Sequence, residues 1–293
     1  MFNLIRRAWS DPVHEGDIER ALEALGLNDA SSVLVHSSLS SFGRVAGGAG
    51  AVIAALTSVA GTVVMPAFSY DCLVWPAAAR QPDWPRVVSD GPRFYEQTPV
   101  SRDIGRVAQV FLDHPGVQRS FHPALSFSAA GPQAASILEA QTLDSPYAPI
   151  GRLYDLDGDV LLIGVDNRSN TTIHYGEFLA GRPLLDRYVR TRNGVERTYF
   201  PNCSAGFNAL APRLTFTRQA RVGRSQLLRL SVRDVVDATV AALNANPEAL
   251  LCSYSGCRCQ HVRRLVRRSG LTPRPVQPSA QPAPAVSQAP QPA

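Results

Sequence analysis

The sequence contains no lysine; histidine aside, its basic side chains are 29 arginines. Schiff-base and pyridoxal-phosphate chemistry need a lysine amine, and a phosphate-binding P-loop needs a lysine as its point charge, so both routes are closed. No apolar run approaches the roughly 18–20 residues of a membrane span, and Met1 to Arg20 lacks the apolar core of a secretory signal. Acids stop at Glu248, while six arginines lie at or beyond Arg258. Residues 1–257 therefore hold 23 arginines against 24 acids, and the overall charge of +5 belongs to the C-terminus. Five cysteines, an odd number without an export signal, point to a reducing compartment and a cytoplasmic location.

At 293 residues, 45% hydrophobic and 18% charged, the composition is globular. The reading gives one domain over 1–270, with room for two lobes. Residues 271–293 hold seven prolines with much Ala and Gln, and are expected to form a disordered tail.

Strand-like and helix-like segments alternate. Ile18, Ala21, Leu22 and Leu25 recur at helical spacing before Gly26. Ser32 to His36 reads as a buried strand, Ala49 to Val59 as a helix and Thr62 to Pro66 as a second strand, a βαβ unit that implies a parallel sheet. Ala67 to Pro99, rich in proline and aromatics, reads as a long functional or lid-like loop. A helix follows Ser101, and a strand is expected from Ala124 to Ala129 with a helix after it. Asp159 to Val165 is the strongest strand, continuous and apolar as in a covered parallel sheet, and a helix over 170–181 follows it. Residues 186–200 alternate around Arg192-Asn193-Gly194, a hairpin signal. Further helices are expected over 231–245 and 258–268. The fold class is thus α/β, with a mostly parallel central sheet, flanking helices and an antiparallel hairpin insertion.

Four segments carry chemistry. Val35 to Gly48 is a strand end entering a turn rich in serine and glycine, suited either to an anion such as a pyrophosphate or to a purely capped turn. Asn170-Thr-Thr-Ile-His-Tyr-Gly-Glu177 sits at the C-terminal end of the strongest strand, where open α/β sheets bind ligands. On a helix His174 and Glu177 share a face, so the carboxylate can orient the imidazole as a general base requires. Arg119 is a candidate phosphate partner, whereas His114 and His122, each followed by proline, read as structural. Cys252, Cys257 and Cys259, with His261 beside them and Cys203 upstream, suit a structural zinc ion, a cluster of buried thiols or a redox site. The five arginines over 258–268 lack interleaved aromatic residues and read as a solvated helix face, so no nucleic-acid partner and no membrane partner is expected.

Taken together, Val35 to Gly43, Gly61 to Pro66, Thr98 to Gly105, Arg119 to Pro123, Leu161 to Val165 and Asn170 to His174 resemble the aminoglycoside N3-acetyltransferases, the antibiotic acetyltransferases unrelated to the histone-acetyltransferase-like fold. The match runs in family order over about residues 15–265. The resemblance implies the antibiotic acetyltransferase fold and transfer of acetyl from acetyl-CoA to an amine, usually the 3-amino group of an aminocyclitol. It makes His174 the base and Glu177 the acid that follows it, and places Ser37, Ser38, Ser40, Arg119 and Ser120 on the CoA side. Asp71 and Glu96 are the acids expected to meet a cationic acceptor. Part of the family also carries a C-terminal cysteine pair, which adds weight to zinc at Cys203, Cys252, Cys257 and Cys259. Tyr199 to Asn202 offers no acid where some members have one, so Glu177, Glu96 and Asp166 are the carboxylates available to the base. The Ala67–Pro99 loop carries Trp75, Trp84 and several arginines with few acids (Asp71, Asp83, Asp90). That keeps two alternatives open: an acyltransferase for a non-antibiotic amine in a biosynthetic pathway, and a non-catalytic CoA- or metal-binding module. A homodimer is compatible with the reading.

Overall fold

The structure is a computed structural model that describes residues 11–74, 91–201, 203–214 and 217–274. Along the chain run α1 (Glu15–Ala24), β1 (Ser32–Ser37), α2 (Gly48–Val59), β2 (Thr62–Pro66), β3 (Leu73–Val74), α3 (Arg106–Leu112), β4 (Gln118–Arg119) and β5 (Phe127–Ala130). They are followed by α4 (Ala134–Leu138), α5 (Ala148–Asp155), β6 (Asp159–Ile163), α6 (Thr172–Leu179), β7 (Leu185–Thr191), β8 (Gly194–Phe200), β9 (Thr217–Val222), β10 (Ser225–Ser231), α7 (Val232–Ala245) and α8 (Cys259–Ser269).

The fold is α/β, as expected. The central strand β1 lies between β2 and β6 and is parallel to both. Antiparallel strands extend the sheet on either side, giving the order β4-β5-β2-β1-β6-β10-β9. The expected hairpin is β7-β8, which joins β3 in a separate antiparallel sheet.

Period-two alternation divides the core. Leu34, Val64, Val160 and Leu162 face one way, into a cluster with Ile173, Leu153 and Val235 from α6, α5 and α7. Val33, Val35, Val63, Leu161 and Ile163 face the other way, against Leu22, Ile53 and Phe111 from α1, α2 and α3. Every residue of β6 is buried because helices cover both faces.

Two expectations are corrected. The strand expected from Ala124 begins only at Phe127, because the N–H groups of Ala124 and Leu125 donate to Nδ1 of His122 (3.2 and 3.0 Å) instead of to a ladder. The tail does not begin at Leu271, since residues 271–274 are held against the body by backbone hydrogen bonds to Gly181 and Leu179. The middle of the loop read as lid-like, residues 75–90, lies outside the described residues, including Trp75, Asp83, Trp84 and Asp90.

Candidate active site

At the C-terminal ends of β1 and β6 lies a cleft of about 1290 Å³. Ser37, Ser38 and Ser40 form one wall, Asn170, Thr171 and His174 another, and Asp71, Asp103 and Arg106 a third. The serine turn is held by local chemistry. Ser41 Oγ donates to the Ser38 carbonyl (2.6 Å) and shares a hydrogen bond with Ser225 Oγ (2.8 Å). Directly after β6 comes Gly164 (φ +63°), where a Cβ would fall 1.9 Å from Ser41 Oγ, so glycine is what lets the turn lie against the strand end.

α6 begins where Asn170 Oδ1 accepts the Thr172 N–H (3.2 Å). One turn on, Nδ1 of His174 donates to Oε2 of Glu177 at 2.6 Å. Glu177 is only 2% exposed, and its other oxygen pairs with the equally buried guanidinium of Arg182. A carboxylate taken out of water must be paired in this way, and an ionised carboxylate only accepts hydrogen bonds. The Nδ1 of His174 therefore carries its proton and the Nε2 lone pair is left for the cleft. Tyr147 stacks on the imidazole (ring centroids 5.6 Å apart, planes at 24°) and Phe207 meets it edge-on (4.7 Å, 66°). The ring is thereby fixed on two faces and through one nitrogen, with 13% of the side chain exposed.

Of the carboxylates considered as partners of the base, Glu177 makes the contact. Asp166 is engaged by Arg168 and Asn208, which hold its carboxyl down at about 2. Glu96 is exposed and lines no part of the cleft. Its expected role at the acceptor is corrected: Asp103, not Glu96, lines the cleft together with Asp71.

Arg119 and Ser120 are likewise corrected. Arg119 Nε donates to Ser126 Oγ, Nη1 to the carbonyls of Glu96 and Thr98, and Nη2 to the Ala67 carbonyl and Ser69 Oγ. A guanidinium has five donors, so none is left for a phosphate. Ser120 is buried, with its hydroxyl between Gln141 Oε1 and the Phe127 N–H. Both are internal clamps outside the cleft.

His36 and His122 are buried neutral imidazoles, both pushed down from 6.5 to about 3, chiefly by burial. His36 Nε2 accepts the Thr171 N–H (3.3 Å), and His122 Nε2 donates to Thr198 Oγ1 (3.0 Å). Between pH 6.5 and 3 the unfolded chain binds protons that the folded chain excludes, so folding stability falls as pH drops through that window. Acidification from about pH 6.5 to about pH 5 should cost about 3 kcal/mol for the two groups together, read from urea unfolding. A urea midpoint that does not change over that range contradicts it.

The sulfurs of Cys203, Cys252, Cys257 and Cys259 lie within 4.8 Å of one another, and none is in a disulfide. His261 is not in this group. The solvated face expected of the five arginines over 258–268 is corrected: Arg264, Arg267 and Arg268 are exposed, but Arg258 is buried at the start of α8 and the Arg263 side chain is only 18% exposed, drawn with Arg267 onto Glu248 (2.9 and 2.5 Å).

Sequence reasoning missed Arg182, Tyr147, Phe207 and Asp103. Arg182 carried one available signal, an arginine five residues beyond the glutamate of a buried helix.

The family model described as aminoglycoside 3-N-acetyltransferase matches residues 34–244. The aminoglycoside N(3)-acetyltransferase IV of Salmonella sp is 32% identical over 239 residues, 76% of this chain and 84% of that protein. YokD of Bacillus subtilis (strain 168), described as a prophage-derived aminoglycoside N(3')-acetyltransferase-like protein, is 38% identical over 178 residues, 57% of this chain and 65% of YokD. The match thus spans just under two thirds of YokD's length. The crystal structure of YokD aligns with a TM-score of 0.72 at 29% identity, covering 80% of this chain and 95% of that one. A variant of the aminoglycoside acetyltransferase AAC(3)-IVa in complex with a gentamicin also aligns at 0.72, with 26% identity over 86% of this chain and 97% of the other. With its α/β sheet and histidine-bearing cleft, the chain belongs to the aminoglycoside 3-N-acetyltransferase family. No described helix is long and apolar enough to cross a membrane.

Proposed function

We infer that the protein transfers the acetyl group of acetyl-CoA to an amine of an aminoglycoside, the 3-amino group of its aminocyclitol, in a ternary complex without a covalent enzyme intermediate. The observation that carries this is His174, held by Glu177 with its second nitrogen free at the cleft. The amine nitrogen attacks the thioester carbonyl, and Nε2 of His174 takes the proton that the nitrogen loses. As the tetrahedral intermediate collapses, the new C–N bond remains, the C–S bond breaks and the departing thiolate takes up the proton held on Nε2 of His174, which returns the base to its starting state. Ser37, Ser38 and Ser40 offer hydroxyl groups on the side given to acetyl-CoA and its developing oxyanion. Asp71 and Asp103 supply the local negative field that a cationic acceptor needs, in a chain whose excess positive charge lies elsewhere.

A second reading, a less cationic biosynthetic amine as acceptor, is favoured by Arg106 and Arg168 on the same cleft. Thiol release from acetyl-CoA, measured across aminocyclitols and simpler amines, tests both. Release with 2-deoxystreptamine aminoglycosides is expected. Turnover restricted to other amines moves the assignment to the second reading, and no release with any amine leaves the non-catalytic module.

The four-thiol cluster fits a structural zinc ion. A tetrahedral zinc with bonds of about 2.3 Å places its sulfurs roughly 3.8 Å apart, within the observed spread. The Ala205 N–H, 3.4 Å from Cys203 Sγ, is the kind of outer hydrogen bond that thiolate ligands receive. Held by these four cysteines, the ion would supply a cross-link between the segment after β8 and the start of α8, with no part in the transfer. Metal analysis of the purified protein should find about one zinc per chain; less than about 0.2 equivalents overturns the proposal in favour of free thiols.

A further inference from the structure

α6 carries both His174 and Glu177 but has no basic residue in its last turn. A helix C-terminus exposes carbonyls at the negative end of its dipole, and a cation there is stabilising. Here the cation comes from residue 274, beyond every other described element. Arg274 Nη1 donates to the carbonyls of Phe178 (2.8 Å) and Arg182 (3.3 Å), and the guanidinium lies 4.9 Å over the Phe178 ring. The Arg274 backbone N–H donates to the Leu179 carbonyl (3.0 Å) and the Thr272 N–H to the Gly181 carbonyl (3.1 Å). Gly181 (φ +79°) is where the chain leaves α6, and a Cβ there would fall 1.9 Å from the Thr272 carbonyl oxygen. Leu271 anchors the near end of this segment against Leu185, Val262 and Val266.

The geometry points to residues 271–274 as a strap that positions the catalytic helix, with Arg274 as its positioning residue. Arg274 bonds the carbonyl of the same Arg182 whose side chain pairs with Glu177, and that side chain is itself held by the Pro247 and Ala249 carbonyls. The strap thus fixes the turn from which the chain Arg182, Glu177, His174 is built. Burial of the Arg274 guanidinium lowers its proton affinity, and an arginine remains charged in a folded protein. This role rests on His174 being the base.

The test compares R274M, R274K and H174A in the full chain, with kcat and both KM values measured for acetyl-CoA and the best acceptor. R274M keeps a stem over Phe178 but has no donor; R274K restores both charge and donors. A displacement of the base by a fraction of an ångström should lower kcat of R274M about tenfold, with both KM values within about twofold. R274K should recover to within about threefold of the unsubstituted enzyme. R274M with undiminished kcat overturns the strap, as does an equal loss in R274M and R274K that follows a lower Tm and raised KM values. Undiminished H174A turnover sinks the base assignment instead, whatever R274M shows.

Discussion

Replacing His174 with alanine is expected to reduce kcat by about two or more orders of magnitude, because positioned general base catalysis contributes roughly 10²–10⁴-fold. Among the described residues, the substitution removes the only imidazole that both lines the cleft and donates to a buried carboxylate. His36 also lines the cleft, but its Nε2 is occupied by the Thr171 N–H and it is pushed down to about 3, so it is no substitute. KM for acetyl-CoA should change little, since the donor is assigned to the serine wall. Loss confined to KM, with kcat unaltered, would remove His174 from the proton transfer.

The second large effect is on stability. R182M should destabilise the fold by about 3–5 kcal/mol, the usual result of leaving one partner of a buried pair uncompensated. Both side chains are 2% exposed, so solvent does little to screen the Glu177 carboxylate once its partner is gone. In a domain of this size the loss corresponds to a Tm lower by roughly 10 °C. Adding E177Q should restore part of it, because the double variant buries no unpaired charge, and the two effects should be strongly non-additive. A fall of under about 1 kcal/mol in R182M, or simple additivity in the double variant, would mean that Glu177 is not held as a buried carboxylate.

How much of this was legible follows from how locally each feature is encoded. β6, α6 and the His174–Glu177 pairing were readable because a covered strand is a continuous apolar run and a helical i, i+3 spacing places two side chains on one face. The cysteine cluster was readable because three of its members lie within eight residues. Arg119 was misread for the opposite reason. The carbonyls that saturate it come from residues 67, 96 and 98, distant in sequence, and an arginine saturated by backbone looks in one dimension like an arginine awaiting a phosphate. Asp103 reaches the cleft only because the segment before α3 folds beside the serine turn. The docking of Arg274 was concealed by a proline-rich composition that says nothing about four residues at its edge.

The most direct measurement follows both products together: free thiol from acetyl-CoA and, by mass, the acetylated acceptor, for the unsubstituted protein and H174A side by side. Equimolar thiol and mono-acetylated aminoglycoside, dependent on His174, is the expected result. Thiol release without an acetylated amine, or equal product from H174A, would contradict direct amine acetylation by this cleft.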